Sequence, residues 1–559
     1  MKGAELLVRC LEWERVRYIF GVPGEEIMDV LDCLQDSRMT FVPTRHEQGA
    51  AFMADVYGRL SGTAGVCLAT LGPGATNLIT GVADATMDHS PVVALTGQIS
   101  LGGMHKESHQ YLDLEALFHP ITKWSAQIKK AETIPEAVRK AFTLAQAEKP
   151  GATHLILPED IAKLEVEENP LPELGLYPPS APLPCQLERA AAIIAAARTP
   201  LIIAGNGVVR SGASTALVHF AEVRNIPVVT TFMAKGVVPA THPLTLGVIG
   251  LPGGDLNSWR LEQADVVVSV GYDLVEYAPG RWNPARDKKI IHMAPLPAAV
   301  DAAYTVTVEV IGDLSMALST LAETLAGIPT IHSTTGAIAP RDESEDGSRD
   351  QSFPVKPQRL LREIRAALES EDILISDVGA HKLWIAGRYP CERPNTCIIS
   401  NGFAAMGIAL PGAVAAKLLF PHRKVVAVTG DGGFLMNSQE LETAVRLRLP
   451  IVTVICNDSS YGLIRWKQHA RFGREAFVKF GNPDFVHYAE SFGARGYRVE
   501  AADDLPHILH EAFVQQGPVV IDCPVDYAEN LTLTEKPRTM SVRGKPQHGQ
   551  TPSILNVAA

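Results

Sequence analysis

Two short apolar runs, each closed by small or acidic residues, constrain this chain more than any other feature. Val425-Val426-Ala427-Val428-Thr429 reads as a buried strand and runs into Gly430-Asp431-Gly432-Gly433. A helix is expected next, from about Ser438 to Arg448, with Leu441, Ala444, Val445 and Leu447 on its apolar face. Asn437 and Glu440 have the spacing of its capping box. The second run, Ile451-Val452-Thr453-Val454-Ile455, ends at Asn457-Asp458. A strand–helix–strand unit puts both strand ends on one edge of a parallel sheet, where ligands of open α/β sheets bind. Asp431 and Asp458 can then face one crevice. Two carboxylates beside a glycine turn suit a hard cation, and turn N–H groups suit a phosphate. Mg²⁺ matches best, because it takes few protein ligands and leaves its other positions to substrate phosphates.

The same grammar repeats along the chain. In residues 1–165, Tyr18-Ile19-Phe20 enters the Gly21-Val22-Pro23-Gly24 turn, and a strand at Thr40–Pro43 leads to Thr44-Arg45-His46-Glu47. Strand Gly65–Thr70 ends in Gly72-Pro73-Gly74-Ala75-Thr76-Asn77, and strand Pro91–Thr96 ends in Gly97-Gln98. In residues 185–328, Pro200–Ala204 is followed by Gly205-Asn206-Gly207. That turn lacks the rest of a dinucleotide fingerprint and reads as structural. Residues 356–530 hold the opening unit. The expected fold is therefore α/β, with three doubly wound parallel-sheet domains. Pro-rich Leu164–Pro184 and polar Pro329–Pro357 read as linkers. The aperiodic tail from Glu535 reads as a mobile arm or a flap over a site.

The composition excludes several classes. A net charge of −12 without a basic tract argues against nucleic acid. No apolar stretch is long enough for a membrane span. Eight scattered cysteines without a C-x-x-C pair suggest neither a disulfide framework nor a zinc site, and a reducing cytoplasm is expected.

GDGG followed by Asn457-Asp458 resembles the thiamine diphosphate signature, with Asp458 where the second Asn usually stands. Arg45–Arg59 is similar to the catalytic-glutamate segment of thiamine diphosphate enzymes. With Gly21–Gly24, Gly72–Asn77, Gln110, Pro120–Trp124, Gly271-Tyr272-Asp273, Asp377–His381, Ile399–Pro411 and Tyr488–Ala494, the chain resembles acetolactate (acetohydroxyacid) synthases, closest to the catabolic type. The resemblance implies pyrimidine-binding, middle and diphosphate-binding domains in that order. It implies thiamine diphosphate and Mg²⁺, with FAD not favoured. Glu47 would hydrogen-bond N1′ of the aminopyrimidine, desolvated by Ala50, Ala51 and Phe52. Gln110 and Lys123 would orient substrate. Asp431, Asp458 and Ser460 would hold the metal. The cofactor would be held by Gly21, Pro73, Asn77, Gly379, His381, Ala404, Met406 as an apolar wedge, Gly430, Gly432, Gly433, Tyr461, Gly462 and Leu463. The site would lie between two copies in a homodimer or homotetramer, Glu47 of one facing Asp431 of the other.

The expected reaction decarboxylates pyruvate and ligates the remaining unit to a second 2-oxo acid, giving 2-acetolactate. His109 replaces the family's usual Phe and keeps a simple 2-oxo acid decarboxylase open. A flavin oxidase and a non-catalytic paralogue are the other readings. Lys467 stands where relatives tune acceptor choice. It is either a clamp for the acceptor's carboxylate or a solvated charge, and Trp466 is adjacent.

Overall fold

The computed structural model describes residues 1–172, 179–251, 256–329 and 349–533. Most of the second linker and the tail from Glu535 lie outside the described residues, as do residues 173–178 of the first linker.

Three six-stranded sheets follow one another along the chain. The first contains β1 (Tyr18–Gly21), β2 (Thr40–Pro43), β3 (Gly65–Ala69), β4 (Val92–Gln98), β5 (Trp124–Gln127) and β6 (Ala152–Pro158). The second contains β7 (Pro200–Ala204), β8 (Val228–Thr230), β9 (Thr245–Val248), β10 (Val266–Val270), β11 (Lys289–Ala294) and β12 (Val306–Ile311). The third contains β13 (Ile373–Ser376), β14 (Cys397–Ile399), β15 (Val425–Gly430), β16 (Val452–Asn457), β17 (Arg495–Arg498) and β18 (Val519–Pro524). Every strand pair is parallel. Parallel strands covered by helices on both faces need apolar side chains on both, which is why the central runs are unbroken Val, Ile, Leu and Ala. Each fully buried Val or Ile contributes about 1.5–3 kcal/mol.

The first sheet runs β2-β1-β3-β4-β6-β5 and the third β14-β13-β15-β16-β18-β17, which is one strand order used twice. Its direction reverses between the first and third strands of each set, the place where such sheets open a crevice. The middle sheet, β12-β11-β10-β7-β8-β9, has the dinucleotide-fold order instead.

Contacts between the first and third sheets set them head to tail. Ahead of β16, the helix Glu440–Arg446 reaches the carboxyl edge of the first sheet. Glu440 accepts hydrogen bonds from Arg45 N and His46 N, and Arg446 Nη2 donates to the Pro43 carbonyl. Beyond the carboxyl end of β14, residues Ser400–Ala405 lie against the amino edge of the first sheet. There Asp84 and Asp88, just ahead of β4, accept their hydrogen bonds. The helices Glu47–Ser61 and Ala409–Leu419 pack against each other between these junctions.

The unit that opened the sequence analysis differs in one respect. A helix starts at once after Gly430, spanning Asp431–Asn437, and a second spans Glu440–Arg446, in place of one helix from Ser438 to Arg448. Asn437 and Glu440 form no capping box: Asn437 Nδ2 donates to the Gly407 carbonyl, and Glu440 is taken by residues 45 and 46.

Candidate active site

At the reversal point of the third sheet, β13 and β15 end side by side. The β13 end continues through Asp377 and Gly379 into the helix Ala380–Arg388, which carries His381 in its first turn. The His381 ring is buried and lies over Gly430: a Cβ there would meet His381 Cε1 at 3.3 Å. A Cβ at Gly379 would meet the same ring atom at 2.7 Å. Nε2 of His381 has no hydrogen-bond partner among the described residues. Burial pushes this imidazole down to about 4, so it is neutral near pH 7. The helix start and the glycine N–H groups beside it suit an anion, and the unsatisfied ring nitrogen marks a buried polar partner still to be supplied.

The acidic side of the same crevice is formed by β15 and β16. Asp431 Oδ2 accepts from Ser459 N at 2.7 Å and from Asn482 Nδ2 at 2.8 Å, and Oδ1 accepts from Gly432 N at 2.8 Å. Asp458 Oδ2 accepts from Ser460 Oγ at 2.7 Å. Burial raises the Asp431 carboxyl. Burial, with Asp431 adding its charge, pushes Asp458 up to about 6. Two desolvated carboxylates, one of which raises the other, are stabilised by a cation between them. Among the described residues no group of three or more His, Cys, Asp or Glu could hold a metal. Two carboxylates are thus the acidic set available here, which is the sparse set Mg²⁺ uses when phosphates complete it.

Around this crevice the structure gathers most of the expected residues. A Cβ at Gly432 would meet the Tyr461 ring at 2.9 Å, one at Gly433 would meet Asp377 Oδ1 at 2.9 Å, and one at Gly462 would meet Asp458 Oδ2 at 2.9 Å. Leu463 packs on the apolar core beneath. Asp377 also accepts from Gly407 N at 2.9 Å and Ala409 N at 3.2 Å, tying in the segment of Ala404 and Met406. Phe403, Leu435, Met436, Tyr461 and Ile464 leave an exposed apolar patch on this region.

A second group forms at the carboxyl edge of the first sheet. Glu47 is the first residue of its helix, with His46 as the N-cap through Nδ1. Its Oε2 accepts from Asn77 Nδ2 at 2.9 Å. Ala50, Ala51 and Phe52 face the core, whereas Glu47 itself is half-buried. Pro73 opens the helix Pro73–Met87, a Cβ at Gly74 would meet Glu47 Oε1 at 3.5 Å, and one at Gly72 would meet Gln110 Cβ at 2.8 Å. His109 and Gln110 are exposed beside it. Gly21 closes β1 so tightly that a Cβ would meet the Leu68 carbonyl oxygen at 2.1 Å.

Lys123 stands apart. It precedes β5 at the amino edge of the sheet, and its Nζ donates to the Ala147 and Lys149 carbonyls at 2.6 and 2.7 Å. Lys123 thus clamps a loop at the edge opposite Glu47, which accounts for its geometry without a substrate role. Lys467 is exposed on the helix Gly462–Phe472, and its charge acts on Lys382, next to His381. Trp466 instead packs on the core, so the two side chains leave the helix in different directions.

Three consecutive family matches follow one another along the chain. Residues 1–117 match the family described as thiamine pyrophosphate enzyme, N-terminal TPP binding domain, residues 187–321 its central domain, and residues 377–523 its C-terminal TPP binding domain. An acetolactate synthase of Bacillus subtilis is 39% identical over 95% of this chain and 94% of its own length. A catabolic acetolactate synthase of Raoultella terrigena is 36% identical over 95% and 96%. A probable acetolactate synthase large subunit of Methanocaldococcus jannaschii is 37% identical over 95% and 93%. The chain belongs to the acetolactate synthase family of thiamine pyrophosphate enzymes.

In this thiamine pyrophosphate enzyme nothing in the sequence signals Asp84, Asp88 and Asn482, and Glu440 stands out there only as a capping-box partner of Asn437. Each acts on a segment distant in sequence: Asn482 Nδ2, for example, bridges Asp431 Oδ2 and Asn457 Oδ1. No local motif marks such a residue.

Proposed function

We propose that this chain is an acetolactate synthase that decarboxylates pyruvate and joins the two-carbon remainder to a second pyruvate. The observation that carries the reading is the unpartnered His381 Nε2, set among glycines beside Asp431 and Asp458, in a chain of this family. Gly379, His381, Gly430, Gly432 and Gly433 would hold the diphosphate, and Asp431 and Asp458 with the Ser460 segment would hold Mg²⁺. Ala404, Met406, Tyr461, Gly462 and Leu463 would line the rest of the cofactor's place. Thiamine diphosphate, when bound, supplies the electron sink that decarboxylation requires.

The chain's own residues do the remainder. Glu47 holds a proton at the aminopyrimidine's N1′, and Asn77 fixes its carboxylate. Pro73 and Gly21 shape the floor of that half-site. Gln110 and His109 lie where a substrate carboxyl or carbonyl would approach. Met406 and the exposed apolar patch exclude water from the reacting carbon.

The site needs a second copy in this reading. Within one chain, Glu47 lies at the carboxyl edge of the first sheet, while the diphosphate cradle meets the amino edge of that sheet. The exposed Phe403, Met436 and Tyr461 give the cradle an apolar face of the kind that pairs with another surface. A homodimer, or a tetramer built from it, brings Glu47 of one copy over the cradle of the other. Domain limits at 1–165, 185–328 and 356–530 follow the three sheets.

In this reading a flavin in the middle domain is possible but not favoured. The buried Glu276 carboxylate already accepts Asn206 N at 2.9 Å in the turn where a dinucleotide's phosphates would sit. Arg210 is committed to Glu148 at 2.5 Å and to Asp273 at 3.3 Å. A cytoplasmic setting agrees with eight unpaired cysteines, and no described helix is long and apolar enough to cross a membrane.

Incubation with pyruvate, thiamine diphosphate and Mg²⁺, with the product identified, tests the reading. Acetolactate is expected; acetaldehyde as the sole product would make the chain a decarboxylase.

A further inference from the structure

The segment between β14 and Met406 is held from the first domain of the same chain. Arg59 Nη1 donates to the Ile399 carbonyl at 2.8 Å, and the buried Lys382 Nζ donates to the Ser400 carbonyl at 2.8 Å. Asp84 Oδ1 accepts from Ser400 Oγ at 2.9 Å and from Ala405 N at 3.1 Å. Asp88 Oδ1 accepts from Asn401 N at 3.2 Å and from Gly402 N at 2.5 Å, and its Oδ2 lies 3.6 Å from Arg59 Nη1. Asp84 and Asp88 are both essentially inaccessible. Burying two carboxyl groups is costly unless their hydrogen bonds are made, and here one six-residue segment supplies three backbone N–H groups and the Ser400 hydroxyl.

That segment is strained and tightly fitted. Ala404 has φ 59°, a left-handed backbone that a residue with a side chain keeps only when its surroundings enforce it. A Cβ at Gly402 would meet the Met87 carbonyl oxygen at 2.4 Å and Asp88 Oδ1 at 2.8 Å, so the segment is pressed onto the end of the Pro73–Met87 helix. On its far side the segment is tied to the cradle by Asp377 at Gly407 N and by Asn437 at the Gly407 carbonyl.

We propose that Asp84 and Asp88 are positioning residues for the cofactor, fixing the Ser400–Ala405 backbone and through it the aim of Met406. The inference rests on the reading of Met406 as the wedge under thiamine diphosphate. It adds that the first domain serves two sites: Glu47 for the neighbouring copy's cradle, and Asp84 with Asp88 for its own. Neither aspartate touches substrate, and both act through the loop.

The test uses full-length apo-protein and Asp88→Ala, Asp88→Asn, Asp84→Asn and Met406→Ala. Hydrogen exchange is read peptide by peptide, and thiamine diphosphate affinity is titrated with Mg²⁺ present. In Asp88→Ala the amides of residues 400–405 are expected to exchange at least about tenfold faster while those of β13, β15 and β16 do not change, and cofactor affinity is expected to fall about tenfold. Asp88→Asn keeps one acceptor oxygen and should recover part of both; it and Asp84→Asn also serve if the alanine variant does not fold. Turnover should fall with little change in KM for pyruvate. Uniformly faster exchange, or unchanged exchange at 400–405, overturns the proposal. If Met406→Ala binds cofactor and turns over normally, the wedge reading is at fault, and the exchange data still decide whether the aspartates hold the loop.

Discussion

The carboxylate of Glu440 accepts the backbone N–H of His46 at 3.0 Å, a contact across 394 residues that fixes the start of the Glu47 helix from the last domain. Arg45 N at 3.0 Å and Thr443 Oγ1 at 2.7 Å complete its bonds. The orientation of the proposed proton-holding residue thus depends on a buried acid far along the chain.

Burial pushes Glu440 up to about 7, from 4.5. Between those values the folded protein keeps a proton that the unfolded chain has lost, so stability falls as pH rises from about 4.5 to 7. One pKa unit is about 1.4 kcal/mol, and this group should contribute on the order of 3 kcal/mol of that fall. Glu440→Gln should therefore lose less melting temperature than the parent between pH 5 and pH 8. An identical pH dependence in both proteins would remove Glu440 as the cause.

Glu47→Gln should keep cofactor affinity and lower turnover about 10²- to 10⁴-fold, since glutamine can reach N1′ but holds no transferable proton. Asn77 can still bond its amide, so the fold is retained. Near-parental turnover in that variant would take Glu47 out of the mechanism.

Asp431→Ala and Asp458→Ala should each weaken Mg²⁺-dependent thiamine diphosphate binding by about 10- to 100-fold. Asp431→Ala should be the worse of the two, because Ser459 N, Gly432 N and Asn482 lose their acceptor as well. Calorimetric titration with and without a chelator separates the metal from the loop; equal affinity in parent and both variants sinks the assignment.

Lys467→Gln should shift product from acetolactate towards acetaldehyde by about two- to fivefold, the size expected for an exposed charge contact. Lys467→Met should shift it further. Product ratios under saturating pyruvate decide. If both keep the parental ratio, Lys467 is a solvated charge and acceptor choice must be sought at His109 or Leu463.

The sheets were legible because buried parallel strands are short, continuous apolar runs, and their ends showed where Asp431, Asp458, Glu47 and Asn77 would stand. The helix at Asp431 was not legible. Gly432 and Gly433 are poor helix formers and signal a turn. Here they sit inside a helix because a side chain at Gly432 would strike Tyr461 and one at Gly433 would strike Asp377. Proximity in space, absent from the local sequence, selected glycine. Glu440 misled for the same reason: its spacing from Asn437 satisfied a local motif, while its bonds went to residues 45 and 46. Lys123 read as a substrate ligand by resemblance, and only the sheet's direction shows that it stands at the amino edge.

The head-to-tail setting of the first and third sheets has a consequence for assembly. A chain with complementary half-sites at opposite edges is an open-ended connector, able in principle to string copies into a fibre. Two copies related by a two-fold axis satisfy both junctions at once and leave no free end. After the first junction forms, the second is intramolecular and gains from a high effective concentration. Pairing in the proposed dimer is therefore all-or-none: the two junctions are one contact made twice, and a surface change that spoils one spoils both and leaves single copies.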